Sequence, residues 1–231
     1  MIGAPSRRGL LLGLAAALAP TPAVFAGAQV DLALVLAIDC SFSVDANEFR
    51  LQMEGLGQAF LLAEVQKAIR SGPLGQIAVT AVQWSDERNQ MVIVPWTLIA
   101  SDADADAFGR LMARMPRRLA EGGTSISTAL LYCAALFDTA PAATRRVIDM
   151  SSDGRNNIGP SVKAARDRIV GSGITINALA ILNEWPTLTV YFEENVAGGQ
   201  AHFVIPANDY DAYGDAIAKK LLREITGPGI A

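Results

Sequence analysis

The segment VDLALVLAI, from Val30 to Ile38, is apolar at every position but Asp31 and stops abruptly at Asp39. A strand with one face in water alternates apolar and polar residues, whereas a near-continuous apolar run belongs to a strand covered on both faces, as in a parallel sheet. Any fold built around this strand must place helices on both sides of it. The following sequence supplies one at once: Phe49, Met53, Leu56, Phe60, Val65 and Ile69 recur at helical spacing, and Gly72, Pro73 and Gly75 end the run.

Two further strands come next, IAVTAVQW at 77–84 and MVIVPW at 91–96, joined by the polar stretch SDERNQ. That link is too short for a crossover, so the pair is antiparallel, and Pro95 assigns the second strand to an edge. A helix from Asp102 to Met115 carries Phe108, Leu111, Met112 and Met115 on its apolar face, with the acids of SDADADAF at its favourable N-terminal end. GGTSIS leads into another helix that buries Ile126, Leu130, Cys133 or Ala134, and Phe137. Then follow a strand at 146–150, a helix at 162–170, the strand ITINALAIL, a short helix at 187–195, the strand HFVIP and a last helix with Tyr213, Ile217, Leu221 and Ile225 inward. Alternating strands and helices with right-handed crossovers give a doubly wound, Rossmann-like α/β fold. The expected sheet has six strands, mostly parallel, with one antiparallel edge strand and helices on both faces.

Arg7 and Arg8, a short apolar run from Gly9 to Leu18 and small residues up to Ala28 read as a signal peptide over residues 1–28. The run SRRGLL resembles a twin-arginine export signal. Residues 29–231 then form a single domain, exported to the periplasm or secreted, with no stable membrane span once the leader is removed. In an oxidising compartment Cys40 and Cys133 could pair. The layout sets Cys40 at a strand end and Cys133 two turns down a helix, so two unpaired buried thiols are expected. A net charge of −4 and the absence of a long basic run exclude nucleic-acid binding as the main role.

Ligands of doubly wound sheets sit beyond the carboxyl ends of the strands, where strand order reverses. Three polar segments fall there: Asp39-Cys40-Ser41-Phe42-Ser43, Gly122-Gly123-Thr124 and Ser152-Asp153-Gly154. Their carboxylates and hydroxyls are hard oxygen donors, which suit magnesium, manganese or calcium rather than zinc or copper. Alternate spacing lets Asp39, Ser41 and Ser43 converge from one turning loop.

The elements Asp-x-Ser-x-Ser, a later Thr and a later Asp-Gly, in this order, resemble the metal-ion-dependent adhesion site of von Willebrand factor A domains. Through VPWT, GGTSIS, RRVID and DGRNN the chain is most similar to a bacterial exported subgroup with no assigned function. The resemblance implies Asp39, Ser41, Ser43, Thr124 and Asp153 as direct or water-mediated metal ligands, magnesium or manganese as the ion, and an acidic residue of a protein partner in an open coordination position. Phe42, Gly123, Asn156 and Asn157 would form the rim. A non-enzymatic, cation-dependent binding module is the function this implies. An assembly or chaperone-like component of an envelope complex, or a magnesium-dependent phosphatase-like enzyme, are the alternatives. The last would want a second Asp where Ser41 stands.

Plainer roles are open to each residue. Asp39 and Ser41 could cap the next helix, Thr124 could be an N-cap, and Asp153-Gly154 could be a turn. Asp149, inside a buried strand, needs a partner such as an arginine. Trp84 and Trp96 read as core. His202, the lone histidine, reads as a packing residue of the last strand.

Overall fold

A computed structural model describes residues 27–227. The expected leader, residues 1–28, lies outside them except for its last two positions. The sheet comprises β1 (Gln29–Asp39), β2 (Ile77–Trp84), β3 (Gln90–Ile99), β4 (Ala142–Ser152), β5 (Thr175–Ile181) and β6 (Val204–Ala207), in the order β3-β2-β1-β4-β5-β6. All neighbours are parallel except the β2–β3 pair, which puts β3 with Pro95 on the edge.

The apolar run of β1 divides its side chains between two cores. Leu32, Leu34, Leu36 and Ile38 pack with α1 (Ala46–Leu61), α2 (Ala63–Ser71), α3 (Asp102–Met112) and α7 (Tyr213–Thr226). Ala33, Val35 and Ala37 pack with α4 (Ile126–Ala135), α5 (Val162–Gly171) and α6 (Leu188–Asn195) on the other side. Burying each Leu or Val side chain contributes about 1.5–3 kcal/mol, so this one strand anchors both layers. Trp84 and Trp96 lie in the second core. Cys40 and Cys133 are free and buried, in the first and second cores respectively, so the sheet separates them. Among the described residues no helix is long and apolar enough to cross a membrane.

Several local expectations are corrected. The first helical run is two helices, broken at Leu62, whose backbone is extended (φ −70°, ψ 128°). The Gln66 side-chain amide, one turn further on, donates to the Phe60 carbonyl beside the break, so a side-chain contact stabilises it without any glycine or proline. The third helix stops at Met112, and Leu111 is 48% exposed rather than part of its buried face. Met115 is still buried, carried inward by the turn that follows. Asp149 is paired, but with Lys220 of α7 at 2.7 Å, not with an arginine. His202 precedes β6 and is exposed, its ring Nδ1 2.8 Å from the Gly199 carbonyl.

Candidate cation site

Strand order reverses between β1 and β4, whose register pairs Ile38 with Ser151. Asp39 and Asp153 therefore emerge side by side at the carboxyl end of the sheet, and both are fully buried. Asp39 Oδ1 accepts the Ser41 amide at 2.7 Å, and its Oδ2 accepts the Ser152 hydroxyl. Ser41 Oγ and Ser43 Oγ lie 3.2 Å apart, and Ser43 donates to Asp153 Oδ1 at 2.7 Å. The other Asp153 oxygen accepts the Tyr210 hydroxyl at 2.9 Å.

Thr124 joins from the second loop. A Cβ at position 154 would lie 3.4 Å from Thr124 Oγ1 and 3.9 Å from Ser43 Oγ, so Gly154 marks where those two hydroxyls converge. The five residues expected at one centre are thus brought together. Capping does not account for them. Asp45 caps α1, in a reciprocal box with Glu48, and neither Thr124 nor the residue after it makes a side-chain cap to α4.

The expected rim is largely a set of loop braces. Asn157 Oδ1 accepts the Thr124 amide at 2.9 Å while its own amide donates to the Thr124 carbonyl, and Asn156 Oδ1 accepts the Ser127 amide. Phe42 N–H donates to the Gly122 carbonyl, joining first and second loops. Phe42's ring, 70% exposed, points away from the core.

Three contributors lie outside the expected set. Arg117 Nη2 donates to the carbonyls of Cys40, Ser41 and Val44 at 2.9–3.2 Å and clamps the first loop from below. Tyr210 and Ser152 hold the outer oxygens of the two aspartates. Arg117 and Tyr210 lie 57–77 residues from what they hold, so no local pattern could have revealed them. Ser152 is adjacent to Asp153 and could have been read as a strand-end hydroxyl.

Burial, then the charge of Asp153, pushes the Asp39 carboxyl up to about 7. Burial also raises Asp153, and burial together with both aspartates raises the Tyr210 phenol. Cys40, buried beside Asp39, is pushed up to about 12 and is no nucleophile. Neither Asp39 nor Asp153 forms a salt bridge among the described residues. Two desolvated carboxylates side by side, with hydroxyls around them and no basic side chain paired with them among the described residues, suit a hard divalent cation, which would supply the missing charge. Among the described residues no three His, Cys, Asp or Glu side chains cluster. Hydroxyls must therefore complete any such ligand set.

The sequence profile of a family described as "Protein of unknown function (DUF1194)" matches residues 29–229. The chain belongs to this family. No curated protein matches the DUF1194 chain. Among solved structures, proximal thread matrix protein 1 from the mussel byssus, with its MIDAS motif occupied by zinc, superposes with a TM-score of 0.62 at 16% identity. The match covers 86% of this chain and 48% of the mussel chain, so this chain spans about half its length. The vWF domain of the type V pili tip protein Mfa5 from Porphyromonas gingivalis gives 0.56 at 14% identity, over 87% of this chain and 98% of its own. BatB from Bacteroides thetaiotaomicron gives 0.55 at 15%, over 82% and 97%. The DUF1194 chain has the von Willebrand factor A fold.

Proposed function

We propose that this protein is a non-enzymatic, divalent-cation-dependent binding module that presents a magnesium or manganese ion to an acidic residue of a protein partner. The observation that carries this reading is the meeting of Asp39, Ser41, Ser43, Thr124 and Asp153 at the switch point of the sheet, with two buried carboxylates and no basic side chain paired with them among the described residues. Such a set neutralises a cation only in part, and an outside carboxylate completes it. The zinc-occupied MIDAS of the mussel protein and the pilus-tip role of Mfa5 support the same reading at the level of fold.

The surroundings fit a docking face rather than an enzyme cleft. Phe42, Ile158 and Trp185 are 70%, 41% and 45% exposed on loops at this end of the sheet. Arg155, two residues past Asp153, lies over the Trp185 and Tyr191 rings, 5.1 and 5.4 Å from their centroids. Exposed apolar groups beside a fixed guanidinium are the composition of protein interfaces. A phosphatase reading lacks its second carboxylate, since position 41 is serine. We place the protein outside the cytoplasm on the strength of the N-terminal leader, with the domain beginning near residue 29.

Capture from an exported-protein fraction tests this function, using immobilised wild type and Asp153→Ala, each with magnesium or with chelator. A partner retained only by wild type with magnesium supports it. Equal retention under all four conditions contradicts it.

A further inference from the structure

At the opposite end of the sheet, the first residues of β4 and β5, the turn at 198–201 and the end of α7 enclose a cavity of about 350 Å³. Arg145 lies eight positions before Asp153. At about 3.3 Å per residue that is roughly 26 Å from the cation site, so the cavity is a separate place.

Three arginines line it, Arg145, Arg146 and Arg223. None meets a carboxylate at salt-bridge distance among the described residues. Arg145 donates to the Glu224 and Ile225 carbonyls at 2.6 and 2.8 Å, and Arg146 donates to the Ser172 carbonyl at 2.5 Å. These bonds offset the negative ends of α7 and α5 and hold both side chains in place. Arg223 differs. Its guanidinium stacks 3.9 Å from the Phe203 ring centroid, and among the described residues no acceptor takes its edge N–H groups. Stacking fixes the plane of the fork and leaves its donors available for an oxyanion.

The same wall carries a buried polar atom without a partner among the described residues. Glu224 Oε1 receives Lys220 and Asn177 at 2.6 and 3.0 Å, while Oε2 is fully buried and among the described residues has no partner. A polar atom of this kind calls for a hydrogen-bond partner that the described residues do not supply. Ala201, in the wall, has φ 54°, the left-handed region and the lone such non-glycine among the described residues. Strained backbone persists where surrounding structure holds it, and ligand clamps are one such setting.

We propose that this cavity binds a small hydroxylated oxyanion, a phosphate monoester or a hydroxycarboxylate, with its anionic oxygens on Arg223 and its hydroxyl toward Glu224 Oε2. The volume falls at the lower end of the range of about 300–1,000 Å³ for small-molecule sites.

The test is calorimetric titration of glycerol 3-phosphate and of malate into the protein without divalent cation, with Arg223→Ala and Asp39→Ala in parallel. At least one probe binds wild type with a Kd below about 1 mM, weakens tenfold or more in Arg223→Ala and is unaffected in Asp39→Ala. Which probe binds distinguishes a phosphoryl from a carboxylate ligand. Arg223 is exposed, so its removal leaves the fold intact, and Arg223→Lys, which keeps the charge and loses the fork, recovers only part of the affinity. Failure of both probes to bind wild type overturns the proposal. So does equal affinity in Arg223→Ala, or loss of binding in Asp39→Ala.

Discussion

Tyr210 donates its phenolic hydrogen to Asp153 across 2.9 Å, and in doing so ties the residue just ahead of α7 to a carboxylate at the carboxyl end of β4. The bond fixes one Asp153 oxygen while Ser43 holds the other. Partners of this outer kind orient metal ligands, and their loss typically costs 10–100-fold in metal affinity.

Tyr210→Phe should therefore keep the fold, lose about 1 kcal/mol of stability and bind magnesium roughly tenfold more weakly. Calorimetric titration beside a denaturation curve reads both effects. Unchanged magnesium affinity would reduce Tyr210 to a packing residue.

Arg117 holds the first loop by three carbonyls, and its guanidinium also lies 5.7 Å from the Phe49 ring centroid. Arg117→Ala removes these contacts at once and leaves the carbonyls of Cys40, Ser41 and Val44 without that donor. The expected result is faster amide hydrogen exchange confined to residues 41–44, with protection of the central strands retained. Exchange unchanged in that loop would mean that Asp39 and the backbone alone define it.

Burial, then the charge of Asp149, pushes the Glu224 carboxyl from an ordinary 4.5 up to about 8, although Lys220 pulls it down. The folded state thus holds this proton more tightly than the unfolded chain. The penalty for ionising Glu224 is absent below about pH 4.5 and complete above about pH 8, so this residue lowers stability as pH rises through that window. Asp39, pushed up to about 7, acts in the same direction. Urea denaturation of cation-free protein should give a midpoint that falls from pH 5 to pH 8, with a shallower fall in Glu224→Gln. A midpoint rising over that range would show that the Lys220 pairing outweighs burial.

Much of this was legible in the chain. The run from Val30 to Ile38 dictated a strand covered on both faces, and the spacing of Asp39, Ser41 and Ser43, with Thr124 and Asp153 at other strand ends, picked out the residues that meet. Non-local contacts were not legible: the clamp by Arg117 and the bond from Tyr210 depend on neighbours far along the sequence. Lys220 is an intermediate case. On α7 it and Glu224 fall three and seven residues after Ile217, on the apolar stripe. A lysine and a glutamate in a buried stripe announce an internal ion cluster, which names the partner of Asp149 more accurately than an arginine.

The central claim is that Asp39 and Asp153 hold a divalent cation. Calorimetric titration of magnesium and manganese into metal-stripped protein, with Asp39→Ala alongside, tests it most directly. Saturable binding at one site is expected in wild type and none in the variant, which stays folded because the substitution also removes a desolvated carboxylate. Equal affinity in the two proteins, or no saturable binding in wild type, would contradict it.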